Sequence, residues 1–156
     1  MKLKTISFIL FYFLGSITSF CQVKSDKTLD EIKVALQVWN ETANKSDLDG
    51  FMNLFDDNEN IILVGSDSAE IYKGKEQIRK WLGVLFKYNS FVWDMKRIDI
   101  DSHKQTAWVF ADGYMVVTPH KGKQFKVPYR YSGILIKRKA GWKWRMFDGS
   151  IPRGEK

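Results

Sequence analysis

The end of this chain, from residue 129 to residue 152, constrains its fold more than any other segment. Two runs rich in aromatic and apolar residues flank a short turn at Ala140 and Gly141. Both runs have the composition of β-strands. Because so short a connection joins neighbouring antiparallel strands, the chain is expected to finish in a β-hairpin.

This hairpin continues a longer pattern, because the hydrophobic period is two from residue 91 onward. Four long strands are predicted, at residues 91–101, 106–118, 125–139 and 142–147. Their short links indicate an antiparallel meander. Gly113 and Gly133 lie inside two of these strands, where glycine often marks a bulge or a bend, so we expect the sheet to curve.

Three helices and two short strands are predicted before the meander. Thr28 and Glu31 have the spacing of a capping box, and Ser46 and Asp49 repeat it, so a helix should begin at each pair. A third helix should follow Gly74. The two short strands, at residues 61–64 and 70–72, lie between the second and third helices.

Three features resemble the nuclear transport factor 2-like superfamily, in its SnoaL-like branch. They are the order of the elements, the entry to the third helix at residues 72–78 and the closing hairpin. The resemblance implies an α+β cone, with N-terminal helices packed on the concave side of a strongly curved mixed or antiparallel sheet. Such folds carry enzymes as well as non-catalytic binders, so three functions stay open. They are an exported small-molecule binder, an isomerase or cyclase that uses a pocket carboxylate for proton transfer, and an interaction domain that dimerises through the outer sheet face.

Residues 1–21 have the pattern of a secretory signal peptide. Lys2 and Lys4 precede an apolar run at residues 6–14, and small residues follow where signal peptidase would read them. We therefore expect cleavage before Gln22 and a secreted or periplasmic protein. The apolar run is shorter than the roughly 20 residues that a membrane-spanning helix needs.

Cys21 is the only cysteine, so the mature SnoaL-like domain, residues 22–156, should contain none. Lipidation of Cys21 is the alternative, but Phe20 is unlike the small residue that precedes the cysteine in lipoprotein signals. Without cysteine there is no disulfide, thiolate nucleophile or Cys-ligated metal. The two histidines, His103 and His120, are placed in loops, so we expect neither a metal nor another cofactor.

Charge is unevenly distributed along the chain. Residues 121–156 carry 11 Lys and Arg against 2 Asp and Glu, whereas residues 22–120 carry 12 against 16. A basic end could contact nucleic acid or anionic lipid, but lysine at solvated strand edges explains the same pattern. We expect no nucleic-acid partner, no membrane partner after signal cleavage, a small apolar or anionic ligand, and a homodimer as a further option.

Asp148 is the first candidate catalytic residue. Strict alternation along the last strand places Trp144, Met146 and Asp148 on one face, which is the apolar one. Trp144 would then line a pocket with Asp148 at its end, where burial raises the pKa of a carboxyl and suits it to proton transfer. Alternatively, the strand has ended by Phe147 and Asp148 caps a turn. SnoaL-like proteins often carry histidines at the positions of Met146 and Asp148.

Two neighbouring strands offer Arg130, Asp112 and Tyr114. The Arg-x-Ser pattern at Arg130 and Ser132 is similar to that of the superfamily, whose pockets use this arginine to hold a carboxylate or polar ligand. A solvated arginine on the outer face fits equally well. Asp112 and Tyr114 share a face with the bulky Trp108, which would make Asp112 a buried base and Tyr114 a pocket hydroxyl if that face is inward. An ion pair between Asp112 and Arg130 is the structural alternative.

These expectations converge on one pocket between the first helix, the third helix and the sheet. Its predicted binding residues are Trp39, Tyr114, Arg130 and Trp144, and its predicted catalytic residues are Asp148 and Asp112.

Overall fold

The computed structural model describes residues 19–154, with side chains from residue 27 onward. Apart from its last three backbone positions, the predicted signal peptide at residues 1–21 lies outside the described residues. Within the described range, none of the helices combines the length and apolarity needed to cross a membrane.

The helices and strands of the described range follow the predicted order. The helices are α1 (Ser19–Asn44), α2 (Leu48–Met52) and α3 (Gly74–Tyr88). The strands are β1 (Ile62–Val64), β2 (Ile71–Lys73), β3 (Asn89–His103), β4 (Thr106–Pro119), β5 (Phe125–Arg138) and β6 (Gly141–Ser150). His103 is therefore the last residue of a strand rather than part of a loop.

Two helix starts differ from the predicted ones. Thr28 lies inside α1, since that helix already runs from Ser19. The N-cap of α2 is Asp47, whose carboxylate accepts a hydrogen bond from the Gly50 N–H at 2.9 Å. Ser46 instead adopts a φ of 52° and its hydroxyl donates to a carbonyl at the start of β3. Capping by Asp47 satisfies the same free N–H groups that the prediction assigned to Ser46.

The six strands form one sheet in the order β2-β1-β6-β5-β4-β3. The pairings are antiparallel except that between β1 and β6, which is parallel. The predicted α+β class is therefore confirmed, with helices packed on one face of a mixed sheet. We call the face that contacts the helices the inner face and the opposite one the outer face.

Two glycines lie beside irregularities in the sheet, as predicted. Gly113 of β4 faces the break in register between Met95 and Arg97 of β3. Gly133 of β5 adjoins a second break, where β5 meets β6. A Cβ atom at either glycine would overlap the backbone of the neighbouring strand. Bulges increase local twist and bend a strand, so these two positions favour bending of the sheet.

The core lies between the helices and the inner face. Trp39 of α1 is at its centre, with its ring centroid 4.0 Å from that of Phe51 and 5.0 Å from that of Phe147. Trp93 and Trp144 pack against the same indole, with centroids at 5.5 and 5.2 Å. Aromatic side chains that pack in this tilted arrangement attract one another and bury large apolar areas.

Asn40 joins α1 to β3, the strand at one edge of the sheet. Its side-chain oxygen accepts the Trp93 N–H at 2.8 Å, and its amide nitrogen donates to the Trp93 carbonyl at 3.3 Å. One side chain thereby replaces a missing neighbouring strand, since an edge strand leaves such backbone groups unpaired. This contact helps to position Trp93 next to Trp39.

Asp56 is the buried carboxylate of the described residues, with 3% of its area exposed. Arg138 holds it through two hydrogen bonds of 2.8 Å, and Arg145 donates to the same carboxylate at 2.9 Å through Nε. These hydrogen bonds, led by that from Arg138, hold the pKa of the Asp56 carboxyl well below its usual range despite burial. The triad clamps the loop after α2 to the end of the β5–β6 hairpin, so part of the basic C-terminal charge is structural.

Candidate functional site

A cavity of about 140 Å³ lies between the helices and the inner face of the sheet. Its wall is mostly apolar and is rich in aromatic side chains. These include Trp39, Phe51, Trp81, Phe86, Phe91 and Trp93. An apolar cavity of about this size is large enough to hold a single aromatic ring.

Polar groups gather at one end of the cavity, in the turn that joins β1 to β2. Ser66 is exposed and Glu70 is half-buried, so this end opens to solvent. The Glu70 carboxylate folds over Gly65, where a Cβ atom would overlap it, and accepts the Asp67 N–H at 3.1 Å. The Gly65 N–H in turn donates to the Glu70 carbonyl at 2.8 Å. The hairpin thus holds this carboxylate at the cavity opening.

Tyr129 of β5 contributes a phenol to the cavity wall. Burial raises the pKa of its hydroxyl above the usual range, and the negative charges of Glu70 and Asp148 add to that effect. The hydroxyl therefore stays protonated at neutral pH and is able to donate a hydrogen bond. Gly149 of β6 leaves room for it, since a Cβ atom there would overlap the phenol oxygen.

Two indole nitrogens beside the cavity have no hydrogen-bond partner among the described residues. They belong to Trp39 and Trp93, both of which contribute to the cavity wall. An unpaired buried donor costs free energy, so polar groups in protein interiors usually have partners. Each indole is therefore a candidate donor to an acceptor atom of a ligand.

Among the residues that the structure describes, Glu70 is the only Asp, Glu, Lys, Arg or His in the cavity wall. Across residues 19–154, no group of three His, Cys, Asp or Glu side chains comes together in a way that could hold a metal ion. The electrostatic character of the cavity is therefore set by one carboxylate and the faces of several aromatic rings.

The predicted alternation in the last strand breaks before it reaches Asp148. Arg145 is an extra residue in β6, between the pairs that Trp144 and Met146 make with β5. One inserted residue turns every later side chain to the opposite face. Phe147 is therefore buried with Trp144, while Met146 and Asp148 lie on the outer face. The expected position of Asp148 at the end of the pocket is wrong.

Trp39 and Trp144 are the predicted binding residues that lie on the inner side of the sheet. Trp39 lines the cavity. Trp144 is buried, with its ring centroid 5.2 Å from that of Trp39, but it packs in the core behind the cavity wall.

Asp112, Tyr114 and Arg130 lie on the outer face, contrary to the expectation that the bulky face of β4 is inward. The buried positions at the start of β4 are Ala107, Val109 and Ala111, and they alternate with the exposed Trp108 and Phe110. Arg130 Nε donates to Asp112 Oδ1 at 2.5 Å, and the two side chains are 50% and 41% exposed. The ion-pair alternative is therefore the arrangement found.

Glu70, Tyr129 and Trp93 were missed as cavity residues from the sequence. A better choice of phase along β5 would have found Tyr129, since it alternates with Arg130 and shares a face with Tyr131. The other two carried no comparable signal. Glu70 lies in a polar turn, and Trp93 is one of many aromatic residues in a strand.

Residues 32–154 match the sequence model of the SnoaL-like domain. The chain belongs to the SnoaL-like domain family. The resemblance drawn from the helix entry and the closing hairpin is confirmed. No curated protein matches the chain in sequence.

Solved structures show the same fold. A candidate dehydratase of the nuclear transport factor 2-like family from Streptomyces avermitilis has a TM-score of 0.75 at 12% identity, with 83% of this chain and 99% of that chain covered. A superfamily protein from Salmonella enterica serovar Typhimurium has a TM-score of 0.73 at 15% identity, with 84% and 95% covered. A ketosteroid isomerase-like protein from Erwinia carotovora atroseptica has a TM-score of 0.65 at 16% identity, with 83% and 99% covered. At such low identities the similarity extends to the fold alone.

Proposed function

We propose that this SnoaL-like protein binds a small molecule in the cavity that opens beside Glu70. The observation that carries this proposal is an aromatic hollow with its polar groups confined to one end. Ligand sites combine mostly apolar walls with a few polar groups that orient the ligand. Burial of the ligand's apolar surface would supply most of the affinity.

The volume and charge of the cavity narrow the ligand class. About 140 Å³ suits one ring or a short branched chain rather than a large polycyclic molecule. The expected anionic ligand loses its support, because Arg130 is on the outer face and the wall contains no Lys, Arg or His. A neutral or cationic ligand with an apolar body fits this wall better.

Two substitutions on α3 test this proposal, with phenol as a probe of the cavity. Leu85 lines the cavity, whereas its neighbour Val84 is 57% exposed. Phenol should raise the melting temperature of the wild type with concentration, because a ligand that binds only the folded state stabilises it. Leu85→Trp should fill the cavity and remove this response, and Val84→Trp should retain it. An equal response in both variants would place phenol binding elsewhere.

A proton-transfer enzyme is the second candidate function, supported by the presence of Glu70 and Tyr129 at one cavity. A carboxylate base and a protonated phenol are the groups that proton removal beside a carbonyl requires. Two of the similar structures are a candidate dehydratase and a ketosteroid isomerase-like protein, and a dehydratase or isomerase activity would use this chemistry. In this proposal the catalytic base is Glu70 rather than Asp148 or Asp112.

Exchange of the protons beside the carbonyl of cyclohexanone in deuterium oxide tests the enzymatic alternative. The wild type should accelerate the exchange, and Glu70→Gln should slow it by roughly 100-fold, the lower range for loss of a general base. Tyr129→Phe should slow it as well, since the phenol would stabilise the developing oxyanion. Exchange at the same rate with and without protein would exclude this activity for small ketones.

We also propose that the outer face pairs with a second copy of the chain. Four large apolar or aromatic side chains on this face are between 37% and 47% exposed: Trp108, Phe110, Tyr114 and Ile134. Trp108, Phe110 and Ile134 line one shallow hollow, and exposed apolar patches often mark interaction surfaces. A two-fold axis allows one such patch to cover its own copy.

We further propose that the protein is exported and that the mature chain begins at Gln22. The support is the charged, apolar and small-residue pattern of residues 1–21. Mass spectrometry of the protein recovered from the periplasm or medium should show a chain starting at Gln22. Retention of Met1, or a lipid on Cys21, would contradict this proposal.

A further inference from the structure

We infer that the cavity takes a small organic amine, bound as its ammonium ion, with the charge beside Glu70 and the apolar body among the tryptophans. This inference rests on the proposed binding function and adds the ligand's charge to it. It differs from the expectation of an anionic ligand and from a simple apolar site.

The first argument is the placement of the carboxylate. Glu70 is held over Gly65 and by the Asp67 N–H, so it lies at the cavity opening before any ligand arrives. Among the described residues, no other side chain of the wall is an Asp, Glu, Lys, Arg or His. A cation that enters this opening therefore meets one fixed opposite charge, whereas an anion is repelled by the same carboxylate.

The second argument is the aromatic wall. Trp39, Trp81 and Trp93 all line the cavity, and the indole ring is the strongest cation–π partner among side chains. Trp81 is held in place by Tyr72, with ring centroids 4.9 Å apart and an angle of 28° between the rings. Aromatic rings together with a carboxylate form the surroundings that proteins use to recognise ammonium groups.

The competing explanation is that Glu70 only braces its own turn. The hydrogen bond from Asp67 supports that role, but it requires an acceptor oxygen and not a charge. Glu70→Gln keeps an acceptor oxygen and nearly the same shape while it removes the charge. This variant therefore separates the two explanations.

Three probes of one shape and different charge test the inference: benzylammonium, benzyl alcohol and benzoate. Each would be titrated calorimetrically into the full-length protein and into Glu70→Gln. Glu59→Gln is the matched control, because Glu59 is exposed and lies outside the cavity wall. Benzylammonium should bind the wild type at least tenfold more tightly than benzyl alcohol, and benzoate should not bind.

In Glu70→Gln the preference for benzylammonium should disappear while the affinity for benzyl alcohol is unchanged, and Glu59→Gln should behave as the wild type. The preference should also shrink as salt is added, because the carboxylate is partly exposed. Equal affinity of amine and alcohol, or a preference that survives Glu70→Gln, would overturn the inference while the cavity remains a ligand site. Failure of all three probes to bind would overturn the proposed binding function as well.

Discussion

Asp56 and Asp112 both make ion pairs with arginine, but their surroundings differ. Asp56 is 3% exposed and is shared by Arg138 and Arg145, whereas Asp112 is 41% exposed and meets Arg130 on the outer face. An exposed pair gains little in water, because solvent screens its charges. Water cannot solvate a buried carboxylate in the same way, so its charge depends on hydrogen bonds from its partners.

Asp56→Ala should therefore destabilise the fold by about 2–3 kcal/mol. This lies below the roughly 3–5 kcal/mol of a fully buried pair, since Arg138 is 43% exposed and can regain hydration. Asp112→Ala is the control and should cost less than about 1 kcal/mol. Urea denaturation of the two variants measures both values, and equal losses would contradict the contrast in burial.

The same carboxylate predicts a pH dependence of stability. Because its folded-state pKa is depressed, the stabilisation by Asp56 is fully present above its unfolded-state pKa of about 4. It is lost as pH falls below that value towards the folded-state pKa. The difference in unfolding free energy between the wild type and Asp56→Asn should therefore be constant near neutrality and narrow below about pH 4. A difference that stays constant down to pH 2 would show that the carboxylate's charge is not responsible.

At the scale of single elements, β4 and β6 decide which side chains reach the cavity. β4 alternates cleanly from Ala107 to Ala111, with buried residues inward and the large exposed Trp108 and Phe110 outward. β6 contains the extra residue Arg145, whose side chain donates a hydrogen bond to the Asp56 carboxylate. The bulge thus serves the ion-pair cluster and also turns Asp148 away from the cavity.

Because the two faces of β4 differ in burial, substitutions on the inner and outer face should change stability by different amounts. Ala111→Leu adds volume at a fully buried position beside the aromatic layer and should destabilise the protein by about 1–3 kcal/mol. Phe110→Leu, one position away on the outer face, should change the stability of the isolated chain by less than about 1 kcal/mol. Thermal or urea unfolding at low protein concentration, where self-association is minimal, compares them. The reverse order would mean that the faces are exchanged.

At the scale of the whole molecule, the helices cover one face of the sheet and leave the other to solvent. Trp108 is 47% exposed on that outer face, near the start of β4, where it pairs across strands with Ile134. Neighbouring carboxylates Asp99 and Asp101 border the same shallow hollow. This surface is large and apolar enough for self-association to be tested directly.

Trp108→Asp should convert a dimer into a monomer, because a buried unpaired charge would face its own copy across the two-fold axis. Sedimentation velocity over a range of concentrations measures the change. Lys45→Asp also changes charge at an exposed position but lies in the turn after α1, away from the outer face, so it should leave the association unaffected. A wild-type chain that is monomeric at all concentrations would contradict the proposed dimer.

Local patterns in the sequence were sufficient for the elements and their order. Period-two hydrophobicity, short turns and the spacing at the closing hairpin predicted the meander, and Gly113 and Gly133 predicted where the sheet is irregular. These features depend on a few neighbouring residues, so they can be read along the chain. The family assignment followed from the same motifs.

The identity of the inner face, and with it the cavity, depended on contacts between residues far apart in the sequence. Ala107 and Ala111 of β4 are buried on the inner face, whereas the larger Trp108 is exposed on the outer face. The bulge at one unpaired residue of β6 decides that Asp148 lies on the outer face. The conformation of a polar turn decides that the Glu70 carboxylate lies at the cavity opening. The sequence by itself determined the order of the helices and strands, the fold family and the places where the sheet is irregular. Only the tertiary structure decided which polar groups share the cavity, because strand facing follows from how the whole core is filled rather than from any one strand's alternation.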